Sequence, residues 1–172
     1  MQIGKPHKEH YPRFYDSFIA SVKSNNLTEE LTVNCIDTIR FFKSINKEKL
    51  LFKYQKNKWT IIQVFKHLID CEKMYFERSK HFSKLNKSNL PNFDVNKAMA
   101  LVSDDELEIS ELVKEFKVVR RNQINFIEKL TLNQLDFKGK ANGSVLTIRS
   151  LGYISIGHSN HHISIIKERY LI

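Results

Sequence analysis

The sequence has little of what interrupts secondary structure or cross-links a chain: 5 glycines, 3 prolines and 2 cysteines in 172 residues. So few turn-forming residues argue against sandwiches and barrels, whose short strands need a turn about every 8–12 residues. Leucine, isoleucine, phenylalanine and valine are plentiful, and a chain of this length can bury a substantial core without disulfides. We therefore expect a single all-α domain over residues 1–172.

The two cysteines, Cys35 and Cys71, stand among apolar neighbours and belong to no Cys-x-x-Cys pattern. This placement is typical of buried free thiols in a reducing compartment rather than of a disulfide. The N-terminus has no apolar stretch of signal-peptide length, and no run approaches the ~20 apolar residues that span a bilayer. We expect a soluble, cytoplasmic protein with no membrane partner.

Basic residues outnumber acidic ones: the sequence has 28 lysines and arginines and 19 aspartates and glutamates, which gives a formal net charge of +9. Such an excess is found in proteins that bind nucleic acids or anionic membranes. Here, however, the basic residues are scattered: residues 47–58 are the densest stretch, and no run of adjacent basic residues with interleaved aromatic residues occurs. We therefore expect a solvated basic surface and no nucleic-acid partner.

Apolar residues recur with helical spacing in four long stretches, and we predict helices over residues 29–45, 61–85, 104–130 and 148–170. Reciprocal capping pairs and a further cap mark three of their starts: Thr60 with Gln63, Ser103 with Glu106, and Thr147.

The connections complete the predicted topology. Pro12 begins a shorter leading helix that ends near Asn25. The Asn-rich segment after the second long helix is predicted to be an ordered crossover loop with one helical turn over 97–101, and Asn142-Gly143 predicts a tight turn. The sequence thus predicts an antiparallel four-helix bundle with a crossover loop and a short extra N-terminal helix.

Three of the seven histidines fall within Gly-His-Ser-Asn-His-His, residues 157–162, inside the fourth predicted helix. At 100° per residue, His158 and His162 lie about 40° apart on the apolar face, while His161 falls on its flank. Two imidazoles one turn apart can bind a single ion, as in H-E-x-x-H metalloproteases. Ser159 stands where that motif has glutamate, which excludes a protease of this kind.

His67 faces the core from the second predicted helix. Each buried imidazole without a partner costs about 1–3 kcal/mol, so three of them on two helices favour a shared cation. Cys71, one turn after His67, is an alternative fourth ligand, which would close the coordination sphere and make the site structural. His81 lies about 21 Å further along the helix and cannot share the ion.

Three segments resemble, in chain order, motifs of the DinB/YfiT-like superfamily. They are KWTIIQVFKHLIDCE at residues 58–72, LPNFD at 90–94 and GHSNHHISIIKERYL at 157–171. The resemblance implies a four-helix bundle and a homodimer. It also implies that His67, His158 and His162 bind a divalent metal ion, most commonly zinc or nickel, with room left for water or substrate.

Similar proteins include thiol-dependent S-transferases, a thiol-dependent maleylpyruvate isomerase and proteins named as metal-dependent hydrolases. We therefore predict a divalent-metal-dependent enzyme, either a hydrolase or a small-thiol S-transferase, acting on a small molecule that for a transferase includes a low-molecular-weight thiol. The alternative is a non-catalytic binding or stress-response module whose metal supports the bundle. No catalytic residue beyond the ligands is assigned.

Two carboxylates close to His67 in the sequence, Asp70 and Glu72, are not predicted to bind the metal. Asp70 either orients a metal-bound imidazole through a hydrogen bond or lies on a solvated flank. Glu72 points away from the site, and we expect it to form an interhelical salt bridge.

Overall fold

The computed structural model describes residues 2–100, 102–103 and 106–171. Two 3₁₀ turns, Lys8–His10 and Arg13–Tyr15, come first. The α-helices are α1 (Asp16–Ser21), α2 (Leu27–Ser44), α3 (Lys47–Leu50), α4 (Ile61–Phe82), α5 (Val95–Ala100), α6 (Ile109–Ile127), α7 (Leu132–Leu135) and α8 (Ile148–Arg169). The strands are β1 (Asn89–Leu90), β2 (Gly139–Ala141) and β3 (Ser144–Leu146).

The long helices α2, α4, α6 and α8 form the predicted four-helix bundle. Helices α2 and α4 each pack against both α6 and α8. The rings of Phe42, Phe65 and Phe116 pack together and join the C-terminal end of α2 to the N-terminal ends of α4 and α6. Tyr170, just after α8, donates a hydrogen bond to the carbonyl of Trp59, just before α4. Helices α4 and α6 therefore run opposite to α2 and α8.

The predicted crossover loop is what allows α4 and α6 to be parallel neighbours. Residues 83–108 lead from the end of α4 back to the opposite end of the bundle, where α6 begins. The helical turn predicted within this loop is α5, which ends at Ala100; the predicted last residue, Leu101, lies outside the described residues.

Several helix boundaries differ from the prediction. The leading helix α1 is shorter than predicted, since it spans only Asp16–Ser21, and two boundaries of the long helices have a clear local cause. Helix α6 begins at Ile109 after Glu108, so the cap predicted at Ser103 is wrong; positions 104 and 105 lie outside the described residues. The Glu106 amide instead donates to the carbonyl of Ser103, which makes a turn before the helix. Helix α4 ends at Phe82 because Leu85 follows with φ 56°, a left-handed conformation that ends helices.

A small three-stranded sheet adds to the helical fold. Strand β1 pairs in parallel with β2, and β2 pairs with β3 in a hairpin. The hairpin reverses at the predicted Asn142-Gly143 turn, where both residues have positive φ, 50° and 72°. The sequence did not indicate the sheet because strands of two or three residues show no periodicity. The sheet joins the crossover loop to the segment that leads into α8.

Two features of the described residues bear on the compartment predictions. Cys71 is buried and Cys35 half-buried, and both are free thiols. Within the described ranges, no helix combines the length and apolar character that crossing a membrane requires.

Candidate metal centre

The two helices that carry the candidate ligands are adjacent, antiparallel and capped at their starts. Thr60 and Gln63 form the predicted reciprocal cap of α4, and Thr147 forms one with Ser150 at α8. These caps satisfy backbone amides that a helix start otherwise leaves unpaired, and so they define where each helix begins. The helical phase of His67 on α4 and of His158 on α8 follows from those starts.

The structure brings together the three histidines that the sequence selected. The Nε2 atoms of His67 and His158 are 3.1 Å apart, and those of His162 and His158 are 3.0 Å apart. The ring centroids of His67 lie 4.9 Å from both other rings, and those of His158 and His162 are 4.6 Å apart. The three rings therefore cluster between α4 and α8, with His158 Nε2 next to the nitrogens of both other imidazoles.

The nitrogen spacing fits a shared cation better than it fits hydrogen bonding. Ligands at about 2.0–2.1 Å from a tetrahedral ion are roughly 3.3 Å apart, close to both observed separations. An imidazole nitrogen is either a donor or an acceptor, so His158 Nε2 cannot make good hydrogen bonds to His67 and His162 at once. A divalent cation satisfies all three nitrogens together.

Burial keeps the three imidazoles in the neutral form that binds metals. His67 and His158 are 6% and 8% exposed, and His162 is half-buried. Burial lowers the pKa of His67 to about 4, although Asp70 acts in the opposite direction. The pKa of His162 falls to about 3, and that of His158 lies well below its usual range, in both cases first through burial and then through neighbouring histidines. All three are deprotonated at neutral pH.

Cys71 supplies a second possible ligand set. Its Sγ lies 3.7 Å from Nδ1 and 3.9 Å from Nε2 of His67. Ligand atoms of His67, Cys71 and His158 all lie within 4.8 Å of one another. Burial raises the pKa of the Cys71 thiol to about 12, so without a metal it is a neutral thiol. Both a three-histidine set and a His-Cys-His set are therefore geometrically available.

Aromatic side chains surround the histidines on the protein side. The centroid of Trp59 lies 4.9 Å from that of His67, while Phe18 and Tyr75 lie 5.7 Å and 6.2 Å from His158. His162 is the ligand candidate least covered by protein. An ion at this point would have an apolar environment with an opening beside His162.

Sequence patterns gave no role to Phe18, which comes from outside the bundle. Helix α1 packs so closely on α8 that a Cβ on Gly157 would lie 2.2 Å from the Phe18 carbonyl oxygen. The glycine beside His158 is the only sign of this approach in the sequence.

The remaining candidates are not members of the three-histidine cluster. Asp70 forms an ion pair with Lys66, consistent with its reading as a flank residue. Glu72 forms the expected interhelical salt bridge, with Arg120. His161 is exposed and packs on Phe18, and His81 contacts Ser88. The His161 ring also packs edge-on against that of His162, with centroids 5.2 Å apart, so His161 borders the cluster, whereas His81 lies about four turns further along α4.

Comparisons with known proteins agree with this fold. The sequence model described as the DinB superfamily matches residues 36–166. A protein of Oceanobacillus iheyensis named "Putative metal-dependent hydrolase OB0413" is 26% identical over 126 residues, which cover 72% of each chain. The solved structure of YfiT from Bacillus subtilis, described as a probable metal-dependent hydrolase with an unusual four-helix bundle topology, superposes with a TM-score of 0.68. It is 20% identical, and the match covers 96% of this chain and 91% of that one.

Proposed function

Because the chain belongs to the DinB superfamily, we propose that it is a divalent-metal-dependent hydrolase whose ion is held by His67, His158 and His162. The observation that carries the proposal is that Nε2 of the neutral His158 lies 3.1 Å from that of His67 and 3.0 Å from that of His162. Three protein ligands leave a coordination position for water or substrate, as in catalytic sites. The hydrolase name of the relative from Oceanobacillus iheyensis supports the reaction class.

In this proposal the ion supplies the chemistry and the surrounding side chains control access to it. A divalent ion held there would act as a Lewis acid and lower the pKa of a bound water. Trp59 and Phe18 cover the rings of His67 and His158 and limit access of bulk water from the protein side. A small substrate reaches the centre from the half-exposed side of His162.

Metal content and hydrolysis, measured on the same preparations, test this proposal. The freshly purified chain is analysed for metals and assayed on a panel of ester, amide and phosphoester substrates. We expect about one divalent ion per chain, and loss of both ion and hydrolysis in His67→Ala and His162→Ala. His161→Ala is the matched control, because it removes a neighbouring exposed imidazole. A chain that binds no divalent ion would contradict the proposal.

A non-catalytic metal-supported module is the second candidate, and the position of Cys71 favours it. Its Sγ and ligand atoms of His67 and His158 lie within 4.8 Å of one another, close enough for one ion to bind all three. If Cys71 closes the coordination sphere as a fourth ligand, Cys71→Ala weakens binding of the ion. The hydrolase proposal expects Cys71→Ala to keep both the ion and hydrolysis, so this variant separates the candidates.

The proposal includes four more specific predictions from the sequence. The ion is zinc or nickel, the protein is a cytoplasmic homodimer, and S-transfer is the alternative reaction. Elemental analysis identifies the ion, and light scattering measures the oligomeric state. Incubating the metal-loaded chain with a glutathione-like or bacillithiol-like thiol and a reactive electrophile tests S-transfer. A rate no higher than that of His67→Ala would exclude it.

A further inference from the structure

A second site lies on the opposite side of the bundle from the histidines. Helices α2 and α6 enclose a groove of about 840 Å³. The histidines instead lie between α4 and α8, and none of them lines this groove. Its volume is within the range of about 300–1,000 Å³ that is typical of small-molecule sites.

The floor of the groove is apolar. Helix α2 contributes Cys35, Ile36 and Ile39, and α6 contributes Ile124. Ile36 is 52% exposed, so part of this apolar lining faces solvent. A ligand with a hydrocarbon portion would cover this surface.

The rim is cationic and has no acidic member. Arg40 and Lys43 extend from α2, and Lys117 and Arg121 from α6. Arg40 forms an ion pair with Asp37. Among the residues that the structure describes, Lys43, Lys117 and Arg121 have no carboxylate partner. Such a rim attracts an anion and repels a second basic rim, so it disfavours self-association through this face.

A buried cation also lines the groove. Arg120 is 0% exposed, and its guanidinium donates to Glu72 at 2.6 Å and to the carbonyl of Leu31 at 3.4 Å. The buried Nε of Arg120 has no protein partner. The charge of Arg120 adds to the positive potential of the groove, although its guanidinium is covered by protein.

We propose that this groove binds an amphipathic carboxylate of the fatty-acid class, with its hydrocarbon chain on the isoleucine floor and its carboxylate on the rim. Cys35 and Lys43 are eight residues apart, roughly 12 Å along α2, so a chain of about ten carbons reaches from floor to rim. A second groove, beside the crossover loop, has the acidic residues Asp70 and Glu77 among its lining residues. Its edge therefore carries charges of both signs and attracts a carboxylate less than the first groove does. The inference does not depend on the proposed metal.

Binding of decanoate to the full chain tests the proposal. Calorimetry with decanoate, 1-decanol and butanoate separates the contributions of charge and hydrocarbon. We expect decanoate to bind at least about tenfold more tightly than either partial analogue, since one favourable ion pair in a partly buried site is worth about one decade. Lys117→Glu should weaken decanoate binding by about tenfold for the same reason. Lys84→Glu is the matched control: it changes the net charge equally but lies at the second groove.

Cys35 reports where the ligand binds. Alkylation by iodoacetamide, followed by mass spectrometry of the separate Cys35 and Cys71 peptides, should slow at Cys35 when decanoate is added. Any of three results would overturn the proposal: no decanoate binding, binding that leaves Cys35 alkylation unchanged, or equal weakening by Lys84→Glu. A dimer that protects Cys35 and that decanoate does not dissociate would assign the groove to a second copy instead.

Discussion

Glu72 and Arg120 form an ion pair inside the bundle, with side chains that are 2% and 0% exposed. Glu72 also accepts a hydrogen bond from Ser155 of α8, so a single carboxylate joins α4, α6 and α8. Desolvating two charges offsets much of their attraction, and such a pair adds little net stability over an apolar one. Removing one partner is different, because it leaves the other charge buried without a counter-ion.

Glu72→Ala should therefore lower the free energy of unfolding by about 3–5 kcal/mol, measured by urea denaturation. Replacing both residues, as in Glu72→Met with Arg120→Met, should recover most of the loss. Glu77→Ala on the same helix is the control, and it should change stability by less than about 0.5 kcal/mol because Glu77 is exposed. A Glu72→Ala protein as stable as the wild type would contradict the role of this pair.

Helix α8 is the element on which the site depends most, and it is held by α1 and by the N-terminal segment. Gly157 allows the α1 backbone to approach α8 directly beside His158. Arg149 binds Asp136 through two hydrogen bonds, at 2.7 Å and 2.8 Å, and donates to the carbonyl of Gly4. Tyr153 donates to the carbonyl of Ile3. These contacts hold the N-terminal part of α8 against the N-terminal segment, and the part beside His158 against α1.

Gly157→Ala should destabilise the protein by about 2 kcal/mol or more, despite the better helix propensity of alanine, because its Cβ would meet backbone rather than a movable side chain. Gly152→Ala on the same helix is the comparison. Its Cβ would lie 2.9 Å from side-chain carbons of Leu27, which can shift. Thermal unfolding of both variants should rank Gly157→Ala as the less stable, and the opposite order would contradict the close approach of α1.

The Asp136–Arg149 pair should contribute stability that depends on pH. The hydrogen bond from Arg149 is the main cause that lowers the pKa of Asp136 below its usual 3.8. A carboxyl group with a lowered pKa stabilises the fold above its unfolded pKa and loses that contribution as pH falls through the folded pKa. Asp136→Asn should thus cost about 1 kcal/mol at pH 7, and the difference from wild type should shrink below a pH of about 3.8.

Urea denaturation at pH 7 and pH 3 measures this difference. Asp37→Asn is the control, because Asp37 and Arg40 form a pair that is exposed on both sides. A loss that is equal at both pH values would mean that Asp136 stabilises the fold other than by its charge.

At the scale of the whole molecule, the bundle has apolar packing on both sides of the histidines. One group of buried residues packs α8 against α1 and the N-terminal segment. The other group packs the C-terminal ends of α2 and α8 against the N-terminal ends of α4 and α6. Burial of this extent supplies most of the folding free energy of a domain. A metal at the site would add to that stability by binding only the native state.

Removing the metal should therefore lower Tm without unfolding the protein. Reloading a chelated sample with zinc or nickel at about 100 times Kd should restore about 2.7 kcal/mol, which is roughly 5–10 °C for a chain of this size. Far-UV circular dichroism should show the same helix content with and without the ion. His161→Ala should keep the Tm shift and His67→Ala should lose it. Loss of helix on chelation would contradict a core that folds without metal.

The sequence by itself determined the features that depend on local order. Apolar spacing located four long helices, the Thr60–Gln63 pair marked the start of α4, and the four-residue step from His158 to His162 put both on one face. Local pattern was insufficient at Ser103, because the position at which α6 begins depends on packing against the other helices rather than on a capping sequence. It was also insufficient for strands of two or three residues.

Only the tertiary structure decided which helix faces meet. The crossover of residues 83–108 places α4 beside α8 and α2 beside α6, so the histidines converge on one side of the bundle and the cationic groove forms on the other. The approach of Phe18 to His158 and the pairing of Glu72 with Arg120 join residues far apart in sequence. Helical periodicity fixes the direction of a side chain relative to its own axis, whereas its neighbours across the bundle follow from the packing of the whole chain.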